Sequence, residues 1–362
     1  MLNIFLTGAA GLIGGEIAAR LLSAGHRVRA LVHTSRDIRA NNGNAVEPCE
    51  IVTGDVSAPM FGWDKAEFDR LTGAADLLIH CAATVRFDLD DDAYARVNIG
   101  GAANAVEFAR AGDMPLLHVS TAYVCGTRDG QILEDDPLPS RGFANGYEKS
   151  KAAAERLIRA SGVPFAIARP SIVVGDSASG EIRQFDTTYA AFKLIAEGHV
   201  CHMPARTGAT LDFVPIDHVA GSLVDIAQNM RKAVGGTFHL VSGRPIPVPE
   251  FTAAIAAFPQ FHRPELVAPD SFDPARLPPL ERRLYRRVAG LYASYFQRNP
   301  HFDDREAQSI AGRICPPTGA EYLHRLITHC IEVGFLSGDQ SSLPRSDGDG
   351  DRDTAGVVAE GL

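Results

Sequence analysis

The 362-residue sequence has a single tryptophan, no excess of basic residues and no long uninterrupted apolar run. The last two each remove a class of function. Lys and Arg number 35 against 44 Asp and Glu, a formal charge of −9, so there is no electrostatic footprint for nucleic acid. No segment approaches the roughly 20 apolar residues a helix needs to cross a bilayer. Neither a transmembrane segment nor a charged leader with an apolar stretch behind it is expected, and secretion is disfavoured. The six cysteines (Cys49, Cys81, Cys125, Cys201, Cys315, Cys330) form no CxxC pair and no Cys/His cluster of zinc spacing. They read as reduced thiols in a cytoplasmic protein without a metal centre. What is plentiful is core material, since 45% of the residues are hydrophobic. That suffices for one large α/β domain with an appended piece.

The most informative stretch is Ile4-Phe5-Leu6-Thr7-Gly8-Ala9-Ala10-Gly11-Leu12-Ile13-Gly14-Gly15. An apolar, strand-like run at 2–6 meets Gly8, Gly11 and Gly14, and a helical pattern follows through Ile13, Ile17, Ala18, Leu21 and Leu22. Glycine permits the turn and lets the main chain approach a ligand, while the free N–H groups of the helix start attract a pyrophosphate. Gly8, Gly11, Leu12, Ile13 and Gly14 are therefore candidate dinucleotide contacts. Strand-like segments at 27–33, 50–53, 77–81, 116–120 and 165–169 alternate with helical ones such as 94–111. This rhythm predicts an α/β fold with a doubly wound, parallel, Rossmann-type sheet.

After Pro170 the rhythm loosens, and from about Pro264 it changes character. Leu280, Leu284, Val288, Leu291 and Tyr295 recur at helical spacing, as do Tyr322, Leu323, Leu326, Ile327 and Cys330, which predicts a helical appendage over 264–337. Arg282, Arg283, Arg286 and Arg287 on its first helix read as a solvated face in preference to a docking surface for a membrane or an acidic carrier protein. The Gly-, Ser- and Asp-rich tail at 338–362 is expected to be disordered.

Gly146-Tyr147-Glu148-Lys149-Ser150-Lys151 opens a helical run, so Tyr147 and Lys151 lie one turn apart on one face. A phenol titrates near 10, and the neighbouring ammonium is expected to draw Tyr147 toward the range useful for proton transfer at neutrality. At the end of the second strand, NAD-specific enzymes place an acidic residue on the ribose 2′-hydroxyl. This sequence has His33-Thr34-Ser35-Arg36 there. Nothing repels a 2′-phosphate and Arg36 is able to grip it, so NADPH is the expected cofactor, with NADH left open.

The TGxxGxxG spacing, the Tyr147/Lys151 pair and the preceding Ser120-Thr121-Ala122-Tyr123-Val124-Cys125-Gly126 together resemble the extended short-chain dehydrogenase/reductase superfamily. That resemblance implies a single reductase domain over 1–263, with a small interleaved substrate lobe mainly at 176–215 and 240–263. It implies that the Thr121 hydroxyl, with Ser120 as alternative, meets the substrate oxygen beside Tyr147, and that Asn98 supports a proton relay. It further implies that Lys151, Pro170 and Ile172 touch the nicotinamide half of the cofactor, Asp55 and Val56 the adenine, and Cys81, Ala82 and Ala83 the ribose.

Further segments resemble the thioester reductases and fatty acyl-CoA reductases of the male sterility type: His80-Cys81-Ala82-Ala83-Thr84-Val85-Arg86-Phe87, Val174-Gly175-Asp176-Ser177-Ala178-Ser179-Gly180 and Leu211-Asp212-Phe213-Val214-Pro215-Ile216-Asp217. One departure is Thr187 after Asp186, where relatives often carry glycine. The branch implies reduction of an acyl thioester, borne by coenzyme A or an acyl carrier protein, to an aldehyde, with further reduction to an alcohol left open. Other branches with the same residues are ketone reductases resembling hydroxysteroid dehydrogenases, and sugar-nucleotide epimerases. A regulatory protein that binds NADPH without turnover has no need of Thr121, Tyr147 and Lys151. A homodimer is left open.

Overall fold

Runs such as Ile4-Phe5-Leu6 and Leu77-Leu78-Ile79 are apolar on both sides of the strand and need cover on both faces of a sheet. The computed structural model, which describes residues 1–337, supplies it. Strands β1 (Asn3–Thr7), β2 (Arg27–Val32), β3 (Glu50–Thr53), β4 (Leu77–His80), β5 (Leu116–Val119), β6 (Phe165–Pro170) and β7 (Thr237–Leu240) form one parallel sheet in the order β7-β6-β5-β4-β1-β2-β3. On one face, Ile4 and Leu6 pack with Ile17 and Leu21 of α1 (Leu12–Ser23). On the other, Phe5 and Leu78 meet Phe108 of α3 (91–111) and Ile158 of α4 (Gly146–Ala160), with α2 (Lys65–Thr72) adding Phe68 and Leu71. This is the doubly wound Rossmann sheet that the alternation predicts. Its order reverses between β1 and β4, where a crevice opens at the strands' C-terminal ends.

Three strands stop one residue short of expectation, at Val32, His80 and Val119, because the chain turns there into the crevice. β7 has no counterpart in the sequence reading, since Thr237-Phe238-His239-Leu240 contains no apolar run. The second half also carries α5 (Thr187–Ala196), α6 (Ile216–Gln228), α7 (Val248–Ala256), a helical stretch α8 (279–292), α9 (Arg305–Ala311) and α10 (Ala320–Glu332).

Residues 264–337 are helical as expected but do not stand apart. Tyr292, Tyr295 and Phe296 share one core with Met203 and Phe251, and Tyr322, Leu326 and Ile327 share it with Tyr189 and Ile195. Three devices fix them there. The segment Pro300–Phe302 pairs in parallel with Gly130–Ile132. Arg298, 4% exposed, donates to Glu148 Oε1 at 2.9 Å and to the Gly126 carbonyl at 3.1 Å, with its guanidinium over the rings of Tyr123 and Tyr295. Finally, the turn at 175–180 grips α10: Gly180 has φ +77°, and a Cβ there would lie 2.6 Å from the Arg325 carbonyl, while the Tyr322 hydroxyl donates to the Gly175 carbonyl. Within that turn Asp176 accepts the N–H groups of Ala178 and Ser179, and Ser177 donates twice to Asp217. The GDSASG motif and Asp217 of the LDFVPID motif thus act as a brace. The tail at 338–362 lies outside the described residues.

Candidate active site

At the crevice, the turn after β1 touches the end of β4 so closely that side chains are excluded. Gly8 has φ +74°, and a Cβ on it would sit 2.7 Å from the Ala82 amide nitrogen; one on Gly14 would sit 2.1 Å from the Gly8 carbonyl oxygen. α1 begins at Gly11 without a side-chain cap, which leaves its first N–H groups for an anion. This cradle fits a dinucleotide pyrophosphate, with Gly11, Leu12, Ile13 and Gly14 at the cavity wall. Asp55 accepts the N–H and hydroxyl of Ser57, both at 2.8 Å, and these bonds hold its carboxyl below the usual range. Val56 faces Gly101 of α3, and its carbonyl accepts Asn104 Nδ2. His33 and Arg36 are exposed past β2, but the Arg36 guanidinium lies along β3, donating to the Ile51 carbonyl at 2.9 Å and the Thr53 hydroxyl at 3.1 Å.

From the glycine turn a cavity of about 430 Å³ runs past Cys81, Ala83, Thr121, Tyr147, Pro170 and Ile172 to an apolar end at Phe192, Ile195, Met203, Phe251, Phe296 and Leu326. α4 starts at Asn145, whose side chain accepts the Glu148 N–H, and its first turn brings Tyr147 to the wall in hydrogen-bond contact with Thr121. Ser120, the alternative to Thr121, neighbours the buried carboxylate of Glu155. One turn on, Lys151 is buried and donates to the Val119 carbonyl at 2.7 Å, with His118 Nε2 at 3.5 Å. Asn98 projects from a π-turn at Ala95–Gly100 within α3. Its amide pins Thr84 through both backbone groups and donates to Ser150 at 2.9 Å, so it braces the loop after β4 and helix α4.

One expectation is reversed. Burial pushes the Tyr147 phenol well above its ordinary value, and the contact with Thr121 opposes this only in part. The Lys151 ammonium is turned to the Val119 carbonyl, 2.7 Å away. The same burial brings Lys151 to about 8. The aromatic wall is a second finding absent from the sequence reading. Phe87 stacks on Tyr147 with ring centres 5.6 Å apart, and Tyr292 and Tyr295 lie against Phe87 at 5.0 and 5.9 Å. Tyr295 is visible in the sequence as part of a helical stripe, but a stripe does not say which cavity it faces.

Residues 6–223 match the family model described as male sterility protein. The chain belongs to that family. It is an extended short-chain reductase of the thioester-reductase branch, an NAD(P)-dependent oxidoreductase. Among its relatives, an aldehyde reductase from Aspergillus flavus, lnaA, is 26% identical over 272 residues, which cover 66% of this chain and 25% of the relative. The chain therefore spans about a quarter of that relative's length. In fold it is similar to the terminal R domain of the myxalamid PKS-NRPS pathway, with TM-score 0.78, 24% identity and coverage of 93% of this chain and 92% of the other. It is also similar to a thiolation-reductase di-domain of an archaeal non-ribosomal peptide synthetase, with TM-score 0.68, 18% identity and coverage of 92% and 76%. No helix among the described residues of this male sterility family member is long and apolar enough to cross a membrane.

Proposed function

We propose that the chain reduces an acyl thioester, presented by coenzyme A or an acyl carrier protein, with NADPH to an aldehyde. The observation that carries this reading is the division of the cavity. Hydrogen-bond donors gather at Thr121 and Tyr147, and the far compartment is lined by aliphatic and aromatic side chains. A sugar nucleotide needs polar partners along its length, whereas an acyl chain needs only burial. The thiolation-reductase di-domain supports a carrier as partner, and the lnaA name supports a carbonyl substrate.

Bound NADPH supplies the hydride. Thr121 and Tyr147 donate hydrogen bonds to the carbonyl oxygen and stabilise it as it gains negative charge. A phenol held above its ordinary value is fully protonated at neutrality, which suits the acid of a reduction. Tyr147 gives its proton to the oxygen; as the resulting hemithioacetal collapses, its hydroxyl returns that proton to the Tyr147 phenolate, and the expelled thiolate takes a proton from solvent to become free thiol. The same donors would serve the aldehyde in a second reduction to the alcohol.

With acyl-CoA, free thiol should appear in step with NADPH loss, read with a thiol-trapping dye. Binding should strengthen by about 0.8 kcal/mol per methylene, roughly fourfold, until the compartment is full. Turnover of a cyclic ketone with no thiol released from acyl-CoA or acyl-carrier substrates would move the chain to the ketone-reductase branch.

A pH profile tests Lys151 separately. The folded group titrates near 8 and the unfolded one near 10.4, so the native state releases its proton first. Stability should therefore rise between about pH 8 and pH 10 as the unfavourable buried charge is lost. Activity that needs the ammonium should fall through the same window, and the protonated Tyr147 cannot account for that limb. Lys151→Arg should carry the decline in kcat/KM past pH 10. An alkaline limb unmoved by that change removes Lys151 from the mechanism.

A further inference from the structure

Beyond the brace at 175–180, the chain crosses to the nucleotide half. Asn41, in the loop after β2, donates through Nδ2 to the Glu181 carbonyl at 2.8 Å and accepts the Arg183 N–H at 3.1 Å. Its own N–H donates at 2.8 Å to Glu16 of α1, and a Cβ on Gly15 would lie 2.0 Å from the Arg39 carbonyl. The Arg183 backbone is thereby pinned against the loop that follows β2 and the first turns of α1. Asp37 and Arg39, one to three residues past Arg36, act electrostatically on its side chain. Next to it, Gln184 lines the cavity.

Three arginines surround this corner, and two are occupied. Arg36 is bonded to Ile51 and Thr53, and Arg39 to the Asp37 carboxylate at 2.8 Å and the Gly43 carbonyl at 3.0 Å. Among the described arginines of the corner, Arg183 is the one whose free donors are buried: its Nε and one terminal nitrogen, Nη2, have no hydrogen-bond partner. A guanidinium cannot shed its proton to relieve this, and leaving buried charged donors unpaired is costly. The pair Nε and Nη2 is one edge of the planar fork, the edge that grips two oxygens of a phosphate at once. The missing partner is an anion with at least two oxygens, arriving where the end of β2 meets α1.

We infer that Arg183, from the substrate lobe, binds the 2′-phosphate of NADPH and is the residue that sets cofactor choice. The lobe then reads the nucleotide directly, and the absence of an acidic residue at 33 only permits what Arg183 enforces. The inference rests on the proposed NADPH preference but not on the thioester reading.

The test is a fluorescence titration of reduced nicotinamide on wild type, Arg183→Met, Arg183→Lys and Arg36→Ala, with cofactor-induced thermal shifts alongside. For Arg183→Met the Kd of NADPH should rise at least tenfold, which is about 1.4 kcal/mol, and that of NADH should stay within about twofold. Its NADPH-induced rise in melting temperature should shrink, while the cofactor-free protein melts no lower than wild type, because no native partner of those nitrogens is lost. Arg183→Lys should recover part of the affinity, and Arg36→Ala should have the smaller effect. Equal weakening of both cofactors would assign Arg183 to the pyrophosphate and overturn the proposal, as would unchanged NADPH affinity in Arg183→Met. Equal wild-type affinity for NADH and NADPH is a different outcome. It would remove the NADPH reading itself.

Discussion

Tyr147→Phe should leave folding and NADPH affinity intact while turnover falls by a factor on the order of 10² or more. The substitution removes one hydroxyl and keeps the ring, so the stack on Phe87 is retained and the loss isolates the proton donor. Two readouts separate this from damage to the site: the Kd for NADPH by titration, and kcat for the best substrate. On the proposed mechanism Thr121 would still donate to the carbonyl oxygen in the variant, so residual turnover above the uncatalysed rate is expected. Near-native kcat would remove Tyr147 as the acid.

Arg298→Ala should cost about 3–5 kcal/mol of stability, because it strands the Glu148 carboxylate in the interior. Both partners are nearly inaccessible, with side-chain exposures of 5% for Arg298 and 0% for Glu148. Glu148 also accepts the Ala144 N–H just before the catalytic helix, so its displacement should disturb Tyr147, its neighbour in sequence. Turnover should therefore drop together with the urea midpoint. In Glu148→Gln/Arg298→Met the uncompensated charge is gone, and part of the stability should return. A loss below about 1 kcal/mol for Arg298→Ala would show that the pair does not tie 264–337 to the sheet domain.

The nucleotide half was largely legible in the sequence because its signals are local. Three glycines at fixed spacing, a Tyr and a Lys one turn apart, and apolar runs of four to six residues each declare themselves within a short window. On the substrate side periodicity showed only helical stripes, and the lobe at 176–215 and 240–263 came from the family resemblance. Its decisive contacts join Arg298 to Glu148 over 150 residues of sequence and Asn41 to Arg183 over 142. Periodicity carries no information about such pairings. The pKa reversal at Tyr147 has a similar origin: spacing along a helix places Lys151 nearby but cannot tell which carbonyl its ammonium faces.

The hydroxyl of Tyr322 reaches the Gly175 carbonyl across 147 residues, and this has a consequence for biosynthesis. A growing chain has most of its sheet in hand once β6 has emerged, yet Tyr189, Ile195 and Phe251 have no finished core until α10 follows. At typical elongation rates that interval is on the order of ten seconds. Through it the nascent protein carries a solvent-facing greasy half beside a nearly complete nucleotide half, and its demand on chaperones should peak in that window and end when α10 locks in.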